Sequence, residues 1–384
     1  MRIIVAGGGT GGHLMPGIAL VQKIMQEDDN SRALFVAGDR EVDVRTLSRY
    51  GVEAVHMAAR PVGRNPAGWP GFVTGSIKQL RQCYKMTTDF GPDAAVGLGG
   101  YASFFPLVAA RLQGVPIVLL EQNVVPGKAT RRLGSFAAEV HCQWQETLRH
   151  FGVNVKARAS GSPMREEILA GTRDQAIDKL HLEPDKKTLL VIGGSQGARA
   201  INEMMIAAAR DLAAGAPDLQ VIHLSGQADR EAVAGAYREA GIRAEVVAFL
   251  DDMWLAYRAA DFALSRAGGT TIAELAACGV PPILVPYPNA ADDHQRHNAR
   301  AIADAGAAVV LEQDDFTPGR LVAMICKFIT DQGLAKRMHM ACLALGRPQA
   351  ADVIYDALRA YAQTRTDNGA VEALRPEPAT KEHT

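Results

Sequence analysis

The sequence predicts an α/β protein built from two doubly wound domains that face each other across a cleft. Three observations carry this expectation. Two glycine-rich turns, one in each half, each follow an apolar run: Arg2-Ile3-Ile4-Val5-Ala6-Gly7-Gly8-Gly9-Thr10-Gly11-Gly12-His13 and Thr188-Leu189-Leu190-Val191-Ile192-Gly193-Gly194-Ser195-Gln196-Gly197-Ala198. Short apolar runs alternate with amphipathic segments in both halves, the spacing of parallel sheets covered by helices on both faces. The halves part near Gly161-Ser162-Pro163, where proline after a small polar pair stops regular structure. Each half therefore reads as one Rossmann-like unit.

The first half offers strands at 2–6, 33–37, 52–57, 94–98, 116–120, 138–142 and 155–159, with helices near 12–26, 71–89 and 103–113 between them. The second half restarts the pattern. Strands are expected at 188–192, 220–224, 245–249, 262–265, 281–286 and 307–311, and helices at 198–214, 229–240, 270–278, 293–305 and 318–331. A last helix, Ala350 to Tyr361, follows Gly346-Arg347-Pro348. Residues Arg365 to Thr384 hold many polar side chains and few apolar ones, so a disordered tail is expected there. The strand order within each sheet cannot be read from the sequence.

Composition narrows the function. An apolar fraction of 48% in 384 residues supplies two cores. The 41 basic and 42 acidic side chains nearly cancel, which argues against a nucleic-acid protein working by bulk electrostatics. Five scattered cysteines with no CxxC pair read as reduced structural thiols, hence a cytoplasmic protein. No run approaches the ~18 apolar residues that span a bilayer.

At a strand–glycine–helix turn the backbone can approach a ligand closely, and the free N–H groups of the helix start attract anions. The first turn also fits G-x-G-x-x-G through Gly7, Gly9 and Gly12, the dinucleotide pattern, for which Asp39 is the available acid. That reading gives no role to the second turn or to His13. In Phe262 to Leu275 a strand, a small-residue turn and a helix place Arg266 at a strand's carboxyl end, where open sheets bind ligands. Glu274 follows within the helix and could accept from two ribose hydroxyls at once. Asp292-Asp293-His294-Gln295-Arg296-His297-Asn298 opens another helix with amides and imidazoles suited to sugar hydroxyls. His294 and His297 lack a further metal ligand, and no metal site is expected. Gly97-Leu98-Gly99-Gly100-Tyr101 and Glu121-Gln122-Asn123 close two strands of the first half and would line its side of a polar cleft.

The ordered set GGTGGH (Gly8 to His13), GGY (Gly99 to Tyr101), EQN (Glu121 to Asn123), GGSQGA (Gly193 to Ala198), FLDDM (Phe249 to Met253), R-A-G-G-x-T-x-x-E (Arg266 to Glu274) and DHQ (Asp293 to Gln295) resembles the MurG family of bacterial N-acetylglucosaminyltransferases, which convert lipid I to lipid II. The likeness runs from residue 1 to about 364. It implies a GT-B fold: an acceptor-binding, membrane-facing domain over 1–162, completed by a helix at about 349–364, and a UDP-sugar domain over 163–345. It implies UDP-N-acetylglucosamine as donor, a polyprenyl-pyrophosphate-linked acceptor (lipid I), and inversion at the anomeric carbon. On the donor side, the resemblance implies that Phe249 caps the uracil, Leu250 binds it by backbone and Glu274 holds the ribose. Ser195, Gln196 and Arg266 would serve the nucleotide and its diphosphate, and Asn123 and Gln295 the sugar. Thr10, Gly11, Gly12, Arg165, Gly269 and Thr270 would complete the donor site, and Gly99, Gly100 and Tyr101 would meet the acceptor. Leu120 stands where the family often has His before EQN, Ser162 replaces a common Asn, and the polar tail is long for the family.

For the proton of the acceptor hydroxyl, His13 is the first candidate base, since imidazole titrates near neutrality. Glu121 is the second. The glycine turn with its helix dipole, together with Arg266, would meet leaving-group charge without a metal or other cofactor. Another UDP-sugar GT-B enzyme, such as a UDP-N-acetylglucosamine 2-epimerase, and a non-catalytic nucleotide-binding regulator are the competing readings. Residues 60–85 separate them. Trp69, Phe72, Val73, Ile77 and Leu80 supply apolar bulk, Arg60, Arg64, Lys78, Arg81 and Lys85 supply charge, and no acid interrupts them. Such a segment suits the anionic inner face of a cell membrane, where the protein would sit peripherally.

Overall fold

The computed structural model describes residues 1–8, 11–57, 69–193 and 198–373, with residues 11–12, 69–73 and 366–373 entering only as parts of their helices. Thr10, Arg60, Arg64, Ser195 and Gln196 therefore lie outside the described residues, and Gly11, Gly12, Trp69 and Phe72 are known only as helix positions.

The first half forms strands β1 (Arg2–Ala6), β2 (Arg32–Ala37), β3 (Ala54–His56), β4 (Ala94–Gly97), β5 (Ile117–Glu121), β6 (Glu139–Cys142) and β7 (Ala157–Arg158). All pair in parallel, in the order β3-β2-β1-β4-β5-β6-β7. Its helices are α1 (Gly11–Glu27), α2 (Glu41–Arg49), α3 (Trp69–Phe90), α4 (Phe104–Leu112) and α5 (Lys128–Leu133). The connection continues through α6 (Glu166–Ala170) and α7 (Arg173–Lys179), the latter opened by a Thr172–Gln175 capping box. The second half forms β8 (Lys187–Ile192), β9 (Leu219–Leu224), β10 (Arg243–Val247), β11 (Phe262–Ser265), β12 (Pro282–Leu284) and β13 (Val309–Val310), in the order β10-β9-β8-β11-β12-β13. Helices α8 (Arg199–Gly215), α9 (Arg230–Ala240), α10 (Met253–Ala259), α11 (Gly269–Cys278), α12 (His294–Asp304), α13 (Pro318–Thr330), α14 (Gln332–Leu345) and α15 (Ala350–Ala373) complete the chain.

Both sheets share one topology. In each, the strand before the glycine turn (β1, β8) is central, and the order reverses beside it at β4 and β11. That reversal is the topological switch point at which doubly wound sheets bind ligands. The strands beside it are buried on both faces, as the continuous runs Ile3-Ile4-Val5 and Leu189-Leu190-Val191 require. Each half has apolar clusters on both sides of its sheet, and Ile354 and Leu358 of α15 join a first-half cluster beside Ile3, Val5 and Leu120. The last helix thus returns to the first domain.

Several elements differ from the sequence reading. The edge strands at 155–159 and 307–311 shrink to two residues each, because an edge has only one neighbour to bond. The strand expected at 245–249 ends at Val247, so Phe249 and Leu250 fall in the loop beyond it. The last helix runs to Ala373, past Arg365 where the tail is expected to begin. The sequence reading has no counterpart for α2, α5, α6, α7, α10 and α14, most of them too short to show a periodic stripe.

Candidate active site

The first switch point is built from two glycine turns in contact. Gly8 (φ +144°) and Gly100 (φ +75°) adopt backbone that L side chains rarely take, and a Cβ on Gly100 would stand 2.9 Å from the Gly8 carbonyl oxygen. Ser103 fastens the second turn by donating its hydroxyl to the Gly100 carbonyl at 2.8 Å. Tyr101 follows, its ring edge-on to Phe105 at 6.2 Å. Gly99, Gly100 and Tyr101 thus stand together at the carboxyl end of β4, against Gly8, which precedes α1.

His13 is half-buried, and its Nδ1 is buried with no hydrogen-bond partner among the described residues. Burial lowers its pKa from the ordinary imidazole value. His294 of the second half lowers it further, and Asp43 opposes both. The ring is therefore neutral near pH 7, the form a base needs. Asp43 is fully buried, and its Oδ2 lies 3.0 Å from where a Cβ on Gly8 or on Gly38 would stand. Glycine at both positions admits this carboxylate beneath the turn. The sequence reading missed Asp43, and nothing in its neighbours signals it.

The two halves meet along a bonded seam that sets the carboxyl ends of β5 and β11 face to face. Asn298 of α12 is fully buried. Its Oδ1 accepts from the Val124 backbone N–H at 2.9 Å, and its Nδ2 donates to Asn123 Oδ1 at 3.0 Å and to the Ala267 carbonyl at 3.1 Å. Gly269 makes the approach possible, since a Cβ there would lie 2.6 Å from the Gln122 carbonyl oxygen. Trp144 donates its indole N–H to that same carbonyl at 3.1 Å, and with Val124 it joins the second-half residues Ala267, Ile272, Leu284 and Ala299 in one apolar cluster. Asn298 follows Gln295 at i+3, the helical spacing that could have marked it as a site neighbour.

The seam changes the reading of Glu121. Its carboxylate is buried, with Oε1 accepting from the backbone N–H and side-chain amide of Asn123 at 3.0 and 3.2 Å, and Oε2 from the Gly127 N–H at 3.0 Å. A carboxylate so engaged holds the 121–127 loop and is poorly placed to receive a substrate proton, although burial raises its pKa. Asn123 has both ends of its amide committed, one to Glu121 and one to Asn298. Leu120 is 2% exposed within the core cluster that includes Ile354 and Leu358 of α15. The position that often carries His in the family therefore faces the core here.

On the second-half side, Glu274 is buried in α11 and accepts from Tyr257 OH at 2.7 Å. Burial raises its pKa, and the Arg165 guanidinium opposes that rise. Arg165 is itself buried. It donates to Tyr50 OH and, at 3.3 Å, to Glu167, and it lies over the Tyr50 ring at 5.7 Å. Arg266 is directed at the β12–α12 loop. One guanidinium nitrogen donates to the Val285 and Pro286 carbonyls at 3.0 and 3.3 Å and to Gln313 at 2.9 Å, and the group lies over the Tyr287 ring at 5.6 Å. Gln295 Oε1 accepts from the Ala267 and Tyr287 N–H groups at 3.2 and 3.0 Å, joining the loops after β11 and β12. Among the described residues its amide NH2 has no recorded partner and is the end that could donate. Thr270 opens α11 beside Gly269. Phe249 is 52% exposed in the loop after β10, with Leu250 beside it. Asp39, the acid a dinucleotide site would use, is exposed.

Paired doubly wound domains whose switch points open on a shared seam, closed by a terminal helix that returns to the first domain, define the GT-B architecture of nucleotide-sugar transferases. The glycosyltransferase family 28 N-terminal domain matches residues 3–142, and the family 28 C-terminal domain matches residues 188–354. The UDP-N-acetylglucosamine–N-acetylmuramyl-(pentapeptide) pyrophosphoryl-undecaprenol N-acetylglucosamine transferase of Thermodesulfovibrio yellowstonii is 36% identical, covering 93% of this chain and 97% of its own. The enzyme of the same name from Nitratidesulfovibrio vulgaris is 38% identical, covering 96% and 99%. The crystal structure of Acinetobacter baumannii MurG superposes with a TM-score of 0.74 at 28% identity, covering 93% of this chain and 99% of that one. A Staphylococcus aureus MnaA–UDP structure shares the fold, with a TM-score of 0.66 at 18% identity and coverage of 94% and 97%. The chain belongs to glycosyltransferase family 28 and, within it, to the MurG family.

Proposed function

We infer that this enzyme transfers N-acetylglucosamine from UDP-N-acetylglucosamine to the 4-hydroxyl of the muramoyl sugar of lipid I, making lipid II with inversion at the anomeric carbon. The observation that carries the reading is the Asn298 seam. It brings the switch point bearing His13 against the half that bears Glu274, Arg266 and Gln295, so an acceptor held by one half can meet a donor held by the other.

The chemistry is a single displacement. The acceptor oxygen forms a bond to the anomeric carbon, the bond from that carbon to the diphosphate oxygen breaks, and UDP departs with the bonding pair. The acceptor proton goes to His13, whose depressed pKa keeps it unprotonated at neutral pH. The GGY turn, Gly99 to Tyr101, packs against Gly8 and suits acceptor contact. Glu274 serves the ribose and Phe249 with Leu250 the uracil. Gln295 supplies a donor amide to the sugar. Asn123 is assigned to the sugar, and its amide also joins the seam through Glu121 and Asn298. Gly269 contributes by admitting Gln122. The domain limits expected from the sequence remain our assignment: an acceptor domain over 1–162 with the returning helix, and a donor domain over 163–345.

No helix among the described residues is long and apolar enough to cross a membrane, so a lipid-linked acceptor would be reached from the surface. Helix α3 suits that task. Cys83 and Thr87 are fully buried on one face, while Ile77 and Tyr84 are exposed on the other beside Lys78, Arg81 and Lys85. These basic residues line a shallow groove of about 620 Å³ with Thr74, Ile77 and Gln82. Apolar side chains flanked by cations can settle among anionic headgroups.

Incubation with labelled UDP-N-acetylglucosamine and a lipid I analogue, followed by product analysis, tests the assignment. Disaccharide formation with release of UDP is expected. UDP-N-acetylmannosamine, or N-acetylmannosamine with UDP where water also cleaves the sugar–diphosphate bond, with no acceptor product would point instead to an epimerase.

A further inference from the structure

We propose that helix α2 of the first domain is a working part of the donor site, with Arg45, Arg49 and Tyr50 acting as positioning residues for the uridine of the donor. This rests on the donor reading above, which gives the uracil to Phe249 and Leu250 and the ribose to Glu274. Two separate contacts lead from α2 into that site.

The first is a grip on the loop after β10. Arg49 forms an ion pair with Asp251, and the Arg45 guanidinium lies over the exposed Phe249 ring at 5.8 Å. A half-exposed aromatic ring in a loop has little of its own domain to fix its plane. A cation above the ring and an ion pair two residues later supply that restraint from the other domain. The second contact is buried. Tyr50, at the carboxyl end of α2, receives a hydrogen bond from Arg165 and stacks beneath its guanidinium. Arg165 is 4% exposed, its charge acts on Glu274, and Tyr257 donates to that carboxylate at 2.7 Å. Tyr50 and Arg165 thus connect the first domain to the electrostatics of the proposed ribose acceptor, Glu274.

The consequence is that donor affinity depends on residues of the acceptor domain. A donor domain that bound UDP by itself would be indifferent to α2. Here the cap over the base and the carboxylate at the ribose are both referenced to it.

Calorimetric titration of the whole protein with UDP tests the proposal. Arg49→Ala and Asp251→Ala should each weaken UDP binding about 2–5-fold, the range that an exposed ion pair allows. The charge-reversed double variant, Arg49→Asp with Asp251→Arg, should recover most of the affinity. Arg45→Ala with Tyr50→Phe should raise the KM for the sugar nucleotide more than it lowers kcat. Thermal melting is followed in parallel, because a purely structural defect would lower the melting point without a loss that charge reversal repairs. Wild-type affinity in the Arg49, Asp251 and Arg45/Tyr50 variants would overturn the proposal, as would failure of charge reversal to restore what the single changes lose. Failure of the unaltered protein to bind UDP at all would instead overturn the donor reading on which it rests.

Discussion

Replacing Asn298 by Asp tests whether the seam holds the two domains in a working arrangement. The change is isosteric, so it opens no cavity. The bond from the Val124 N–H to Oδ1 at 2.9 Å can persist. The two bonds that Nδ2 donates, to Asn123 Oδ1 at 3.0 Å and to the Ala267 carbonyl at 3.1 Å, cannot, and two acceptor oxygens then face a carboxylate. Leaving a buried partner unsatisfied costs about 1–3 kcal/mol, so the pair costs about 2–6 kcal/mol. Burial raises the introduced carboxyl's pKa above its unfolded value of about 3.9. Over the interval between those values the native state binds the extra proton. The deficit relative to wild type is therefore full above the native pKa and shrinks as pH falls through it, because a protonated carboxyl regains one donor. Denaturant unfolding followed by tryptophan fluorescence, with Trp144 seated in the seam, should show that deficit at pH 8 and a smaller one near pH 5. Turnover at pH 8 should fall by about tenfold or more, since each ~1.4 kcal/mol charged to the closed arrangement removes a factor of ten. A variant with wild-type unfolding and turnover, or with a deficit that does not change with pH, would refute the reasoning.

His13→Ala should cut turnover roughly 10²-fold while UDP affinity measured by calorimetry stays within about twofold, as expected of a general base that acts on the acceptor. Glu274→Gln keeps an acceptor for Tyr257 but removes the charge facing Arg165, and UDP binding should weaken by about 1.5–3 kcal/mol on the same instrument. Changing Lys78, Arg81 and Lys85 together to Glu should abolish co-sedimentation with anionic vesicles, at about 1 kcal/mol per basic residue, and leave UDP binding intact. His141 is buried with its pKa lowered to about 4, chiefly by burial. The unfolded chain therefore binds the proton first, and stability should drop as pH falls from about 6.5 to about 4, on the order of 3 kcal/mol in all. His141→Gln should flatten that slope in melts across the range.

Much of the fold was legible because its signals are local. A run such as Leu189-Leu190-Val191-Ile192 followed by glycines can only be a buried strand that turns, and two such turns announce two domains. The strand order was not legible, since it depends on which helices cross which face. The site divides in the same way. The strand ends that carry Arg266 and Glu121 and the helix start that carries His13 could be placed from sequence, but the direction of a side chain there could not. Glu121 looked free to take a proton, yet the 122–127 loop folds over it and occupies both oxygens. Asn123 is a sugar-ligand candidate in the sequence, and that its amide also joins Glu121 and Asn298 could not be read there. Asp43 and Tyr50 matter through partners far away in sequence, and no neighbouring residue advertises them. Helix α2 escaped notice because only Asp43 and Leu47 of its nine residues are buried, too few to set a period.

The chain crosses between the domains twice, and the crossings touch. The first runs through Gly161, whose φ of +91° is a glycine conformation and whose N–H donates to the Cys142 carbonyl at 3.1 Å. A Cβ on Gly161 would lie 2.3 Å from the Cβ of Arg347, which belongs to the second crossing. Beyond it, α15 is fastened to the first sheet by Glu139, which is 1% exposed. Burial works against its charge, but Arg158, Lys156 and Tyr361 bond it and hold its pKa at about 2. Since Tyr361 lies on α15 and Lys156 and Arg158 lie at β7, this one carboxylate fixes both the departing and the returning segments to the same sheet edge. The covalent links between the domains are thereby gathered at a single side of the seam. Elsewhere the domains meet through the apolar contact of Val124 and Trp144 with the second half and through side-chain bonds that include Asn298 to the 123–124 loop, Arg49 to Asp251, and Arg131 to Asp292 at 3.3 Å. Two of those three polar links lie within α12 or the loop that opens it, and the third lies in the loop after β10. The residues proposed to hold the donor are therefore the same segments that hold the domains together, which ties the completeness of the site to the closure of the cleft.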